Sequence, residues 1–256
     1  MDITTAGKKH ETKRCYDHPG IHPVVVKKNE CKPWLKKMWC ITEITREYRK
    51  RMYRLLNLYN KPYDPESPLV CCDEKSNQLL EDSRTPIPMK PGRAQKYDYE
   101  YRRNGTCNIF VAVEPKAGKH HIKVTDQRTR KDFALFIKWL LDDKYKQAKK
   151  VLLVLDNLNT HFKKSFSETF SVEECTRLLK RVKFIYTPKH ASWLNMAEIE
   201  INLLQQECLN RNIGNRCELE KQVNAWCNEN NEETRKIYWT FTRYKADKKL
   251  SKYYVS

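Results

Sequence analysis

The sequence predicts an α/β domain, a mixed β-sheet with helices on its faces. Signals for antiparallel strands occupy positions 69–124, and from position 133 helix and strand signals alternate. Apolar residues make up 39% and aromatic residues 11% of the 256-residue chain, enough to build a core for a domain of this size.

Residues 1–31 are polar and irregular, and Pro19, Gly20 and Pro23 interrupt any helix there. After Thr45, Tyr48, Met52, Leu55, Leu56 and Tyr59 recur at helical spacing, with Arg46, Arg49, Lys50, Arg51 and Arg54 between them. This predicts an amphipathic basic helix. Pro62, Pro65 and Pro68 then mark a linker, so residues 32–68 are read as a basic helical connector and linker before a domain at 69–256 with a C-terminal helical extension. Leu69–Cys72 is a short apolar run, a buried strand closed by Asp73, Glu74 and Lys75.

Residues 83–96 form a proline-rich basic loop. Tyr97, Tyr99 and Tyr101 alternate with polar or charged residues, which suits a strand, and Asn104-Gly105 is a hairpin signal. Cys107–Val113 is the return strand, Glu114–Gly118 a turn, and His120–Val124 another strand, with His120-His121 a partly exposed pair of no assigned role. Phe133, Phe136, Ile137, Leu140 and Leu141 mark a helix with Asp132 near its start. Val151–Leu155 is a buried strand ending at Asp156. Residues 172–180 are helical, and Val182–Tyr186 is a strand closed by Thr187-Pro188. From Ser192 to about Leu209 the spacing of Met196, Ile199, Leu203 and Leu204 is helical again.

Charge narrows the partner. Fifty Lys and Arg against 32 Asp and Glu leave a net charge of +18, which favours a polyanion, and nucleic acid is the default. No window approaches 18 apolar residues, so no membrane-spanning helix is expected, and the first residues lack the apolar stretch of a secretory signal. The ten cysteines include no Cys-x-x-Cys pair and read as thiols of a reducing compartment. Cys15, His18, His22, Cys31 and Cys40 form a loose group whose spacing fits no standard zinc finger.

Three acids occupy telling places. Asp73 ends or closely follows the first strand, Asp156 ends the most buried later strand, and Glu198 lies near the start of a long helix. Ligands gather at the carboxyl ends of parallel strands, and a few carboxylates suit a hard divalent ion. Acids at strand ends also cap the helices that follow, so position alone leaves both readings open.

The segments Asp73-Glu74-Lys75, Leu153–His161 (LVLDNLNTH) and Tyr186–Glu198 (YTPKHASWLNMAE) resemble the insertion-sequence-630 family, prokaryotic DDE transposases related to the Tc/mariner group. The likeness extends through KPWLKKMWC at 32–40, PGRAQKYDYEYRRNGT at 91–106 and the tail near Trp239–Thr242, covering about residues 32–256. The resemblance implies an RNase H-like catalytic domain with Asp73, Asp156 and Glu198 as its acidic triad. It also implies Mg²⁺ or Mn²⁺, two ions, hydrolysing phosphodiesters at element ends. The freed 3′-hydroxyl is then joined to target DNA, typically at TA. A homodimer on double-stranded DNA and a prokaryotic cytoplasmic, nucleoid-associated location follow from the same likeness.

Around the triad, His161 is placed either to touch the scissile phosphate or orient water, or to bond the turn. Asn157 and Asn159 suit turn bonding, Asn195 suits positioning Glu198, and Trp193 suits a core anchor or a base-stacking platform. Glu74 should point away from Asp73 if the strand continues. DNA contacts are expected from Lys75, Arg84, Lys90, Arg93, Lys96, Arg102, Arg103 and Lys189.

Two features depart from the family pattern. The Asp156–Glu198 interval is longer than in the compact animal relatives, with the 172–180 helix filling it. Members generally begin with paired helix-turn-helix readers, and residues 1–31 do not supply them. The expectation is a catalytic portion with a connector, from a truncated or frameshifted element or working with a separate reader. Two competing readings are a non-catalytic DNA-binding regulator from such an element and a general RNase H-like nuclease.

Overall fold

A computed structural model of the chain describes residues 43–255. The loose Cys/His group at 15–40 lies outside the described residues. A five-stranded mixed sheet runs in the order β3-β2-β1-β4-β5. Its strands are β1 (Leu69–Asp82), β2 (Tyr101–Glu114), β3 (Lys119–Thr125), β4 (Val151–Leu155) and β5 (Val182–Tyr186). β1, β2 and β3 pair antiparallel, while β4 and β5 run parallel to β1.

Among the described residues seven α-helices flank it: α1 (Arg46–Asn60), α2 (Arg130–Trp139), α3 (Lys164–Ser167), α4 (Val172–Arg181), α5 (Met196–Glu207), α6 (Arg216–Glu232) and α7 (Arg243–Leu250). On one face, Val70, Cys72, Leu153 and Leu155 pack against Phe133, Phe136 and Ile137 of α2, with Phe166 of α3 and Leu178 of α4. On the other, Cys71, Val113, Val154 and Ile185 meet Met52, Leu55, Leu56 and Tyr59 of α1 and Met196 and Ala197 of α5. Further along that face, Ile109, Val111 and Ile122 pack against Leu204, Leu219, Val223 and Trp226. Local side chains cap the helices: Thr45 caps α1, and Thr129 with Asp132 forms a capping box on α2.

Four expectations are corrected. The first strand does not stop at Cys72: β1 continues to Asp82 because β2 keeps pairing with it after β4 has ended, so Asp73 lies inside a strand. Asn104-Gly105 is not a hairpin turn. Gln78 pairs with Thr106 and Leu80 with Arg103, so these two residues oppose Leu79 in a β-bulge. Gly105 there has φ +106°, a conformation that disfavours side chains. Tyr97 and Tyr99 lie outside any strand, 75% and 86% exposed, on an arm tied by isolated bridges between Ile87 and Lys96 and between Lys90 and Arg93. Finally, His120 is fully buried, with Nε2 2.8 Å from Glu200 Oε2 and its ring edge-on to Trp226.

Candidate active site

The last residue pair that β1 and β4 share is Cys71 with Val154. Two residues further along each chain come Asp73 and Asp156, which stand level at the carboxyl end of the parallel pair. Both have the parity of Cys71 and Val154, whose side chains enter the core beneath α1 and α5. Glu74, one residue on, takes the opposite face.

α5 brings the third acid. Asn195 is its N-cap, accepting from the Ala197 N–H at 3.2 Å, and its carbonyl accepts from the Glu198 N–H at 3.1 Å. The same buried amide donates to the Cys72 carbonyl at 2.9 Å and to Asp73 Oδ2 at 3.4 Å. One side chain therefore fixes the start of the Glu198 helix against the Asp73 strand. The sequence suggested Asn195 only as a support for Glu198; its bonds to β1 need the tertiary fold to be seen.

The acids share one electrostatic neighbourhood. Burial pushes the Asp73 carboxyl up to about 7, against the pull of its bond from the Glu74 N–H, with further upward contributions from Asp156, Glu74 and Glu198. Asp156 goes the other way. Burial opposes its ionisation, but bonds from His161 Nδ1 at 2.6 Å and the Leu158 N–H at 3.0 Å hold it below the ordinary value.

His161 is a buried bridge. Its Nδ1 meets Asp156 and its Nε2 lies 2.9 Å from Glu74 Oε2, with the side chains of His161 and Glu74 only 1% and 2% exposed. The Phe133 ring centroid is 4.7 Å away, and the Tyr186 hydroxyl donates to the His161 carbonyl at 2.8 Å. Burial pulls the imidazole down, but the two carboxylates outweigh it and raise it to about 9. Both ring nitrogens are taken, so neither is open to a phosphate. Glu74 is the functional neighbour that the sequence left without a role; the signal was the adjacent acid pair on a strand, which puts its second member on the opposite face.

Asn157 does not bond its own turn. Its amide donates to the Thr187 carbonyl at 2.9 Å and accepts from Arg51 at 3.4 Å, while Asp156 makes the turn bond to Leu158. Trp193 is 41% exposed, edge-on to Phe241, because its neighbour Leu194 takes the inward place in the turn at Ser192–Leu194.

Among the described residues, no three His, Cys, Asp or Glu side chains form a ready-made metal cage. The donor chemistry nonetheless fits a hard divalent cation: three carboxylates of one neighbourhood, one of them a half-buried Asp73 that forms no ion pair among the described residues.

A family model for DDE superfamily endonucleases matches residues 68–220, more than half of the chain. The chain is a DDE superfamily endonuclease. Among solved structures, the chain is similar to the Mos1 mariner paired end complex with Mn, at 13% identity and TM-score 0.50, covering 95% of this chain and 76% of that one. It is also similar to the Mos1 paired-end complex with left transposon end (11%, 0.52, 97% and 79%) and to the Mos1 strand transfer complex (11%, 0.52, 96% and 76%). These likenesses establish the RNase H-like fold. Among curated proteins, none matches significantly.

In this DDE endonuclease the expected DNA-contacting cations fall in two places. Lys75 and Lys189 lie on segments next to the acids, two residues after Asp73 and three after the end of β5. The rest lie on or beside the arm: Arg84 pairs with Asp98 at 3.0 Å, Arg102 with Glu81 at 2.6 Å, and Arg103 covers the Tyr101 ring. Lys90, Arg93 and Lys96 are exposed. Among the described residues no helix is long and apolar enough to cross a membrane.

Proposed function

We propose that this DDE endonuclease is the catalytic domain of an insertion-sequence transposase, with Asp73, Asp156 and Glu198 as its acidic triad. The observation that carries the reading is the level placement of Asp73 and Asp156 on neighbouring parallel strands, with Glu198 delivered by a helix that Asn195 ties to β1. The three acids would hold Mg²⁺ or Mn²⁺, in a pair of ions. When bound, such ions activate an oxygen nucleophile and stabilise the leaving oxygen of an in-line displacement at phosphorus. Asp73 supplies a half-buried carboxylate, His161 orients Asp156 by binding one of its oxygens, and Asn195 sets Glu198.

The substrate is double-stranded DNA. Water is the nucleophile at element ends, and the freed 3′-hydroxyl then attacks the target, at TA. The strands break and rejoin by the same displacement, and no covalent enzyme intermediate is required. Two ends must be brought together, which calls for a homodimer on DNA, and the prokaryotic nucleoid is the setting.

The test is a supercoiled plasmid carrying the element's ends, incubated with Mg²⁺ or Mn²⁺ and compared with Asp156→Ala. Nicking and joining by the wild type alone support the reading. Nicking without joining identifies a general nuclease, and end binding without cleavage identifies a regulator.

A further inference from the structure

β5 is an edge strand of the sheet, and α1 lies beside it. Two cavities of about 270 and 340 Å³ lie along α1 and meet at Arg54. Lys50, Arg51 and Arg54 line the first, opposite Phe184 and Tyr186 of β5. Arg54, Lys61, Lys116 and Lys183 line the second, over an apolar floor that includes Leu152 and Ile185. We infer that this groove holds the phosphate backbone of the DNA strand running away from the catalytic acids, an inference that rests on the proposed DNA substrate.

Position ties the groove to the site. Arg51 donates to Asn157, the residue after Asp156, so one end of the groove is anchored beside the acids. Charge gives the ligand class. Arg51 is paired with Glu47 at 2.8 Å, but among the described residues Lys50, Arg54, Lys61, Lys116 and Lys183 form no ion pair. Asp64 and Glu114 also line the second cavity, and Glu114 is 1% exposed. Geometry gives the polymer. The unpaired Lys50, Arg54 and Lys61 stand on or just past α1, and the eleven residues from Lys50 to Lys61 span about 16 Å at 1.5 Å per residue. That equals about five phosphates of one strand counted along the axis of a duplex at 3.4 Å each. A line of unpaired cations at that spacing suits a phosphodiester chain better than a single anion.

The experiment uses the full chain and a duplex carrying the element end. Arg54→Ala with Lys183→Ala removes two exposed groove cations. Lys131→Ala with Lys180→Ala removes the same charge from the exposed surfaces of α2 and α4, on the other face of the sheet. The groove pair is expected to weaken binding about tenfold at physiological salt and to lower the slope of log affinity against log salt by about 2. The control pair should leave affinity within about threefold. Photocrosslinking from p-benzoylphenylalanine at position 54 should map within about five nucleotides of the scissile phosphate. Equal loss in both pairs, or crosslinks scattered along the duplex, overturns the inference. Failure of the wild type to bind the duplex at all overturns the proposed function instead.

Discussion

Asp73→Asn should make the metal-free protein more stable. In the fold, burial and the nearby acids raise the Asp73 carboxyl from 3.8 to about 7. A carboxyl raised on folding favours the folded state fully only below its unfolded value, and that contribution is lost as pH rises through the folded value. Above pH 7 the ionised group therefore costs about 4 kcal/mol, from 1.36 kcal/mol per pH unit between the two values. Asparagine keeps the oxygen that accepts from the Glu74 N–H and removes the charge. The weak contact from Asn195 at 3.4 Å is lost, which trims the gain. Urea unfolding at pH 8 with a chelator should place Asp73→Asn about 2–4 kcal/mol above the wild type, and at pH 4 the two should be close. Millimolar Mn²⁺ should narrow the gap at pH 8 by stabilising only the wild type. A variant equal to or weaker than the wild type at pH 8 would refute the reasoning.

Glu74→Ala strands the buried His161 beside Asp156 alone and should cost about 3 kcal/mol in urea unfolding at pH 6, with Glu74→Gln costing less. His161 is raised from 6.5 to about 9, so its contribution is fully present below pH 6.5 and fades as pH rises through 9; the wild-type advantage over Glu74→Ala should shrink across that window. Asn195→Ala removes a helix cap and leaves the buried Cys72 carbonyl without its donor, an expected loss of about 2–4 kcal/mol by the same measurement. Gly118→Ala should cost about 1–3 kcal/mol in thermal or urea unfolding. Gly118 sits at φ +67°, and an added Cβ would lie 2.6 Å from the Thr234 carbonyl group.

Much of this molecule was legible in the order of its residues. Val151–Leu155 and Val182–Tyr186 are strands at the expected bounds because a short apolar run between polar ends has few other ways to be buried. The 46–60 helix and its Thr45 cap follow from local spacing and local bonding. What failed to show depended on partners distant in sequence. β1 is 14 residues long because β2 continues to pair with it, a fact absent from Leu69–Cys72 itself. Asn104-Gly105 has hairpin chemistry, yet its flanks lie in one long strand and the same conformational freedom serves a bulge. The place of Asp156 just after β4 could be read from the apolar run before it, whereas Asp73 was read as a strand end and lies inside β1. The Glu74–His161–Asp156 bridge could not be read, because it spans 87 positions at its widest.

The contrast between site and surface explains why the +18 average misleads. Unlike charges, spread evenly, would neutralise one another; here Asp73 lies half-buried among acids, Arg128 stands 4.0 Å from Glu74, and Arg51, which reaches Asn157 at that end of the sheet, is held by Glu47. The cations of the α1–β5 groove that remain unpaired begin just past that point. Asp73, which the His161 bridge does not touch, costs folding energy when ionised, and a row of unpaired cations repels itself, so neither arrangement stabilises the fold. Each becomes favourable when the missing partner arrives, a cation for the acids and a polyanion for the groove. A phosphodiester accompanied by divalent ions carries both, and seating it would relieve the two strains together. The coupling predicts that DNA affinity rises with divalent cation in the wild type and that this dependence is largely lost in Asp73→Asn, measured at constant ionic strength; a dependence of equal size in both proteins would show that the site and the groove act independently.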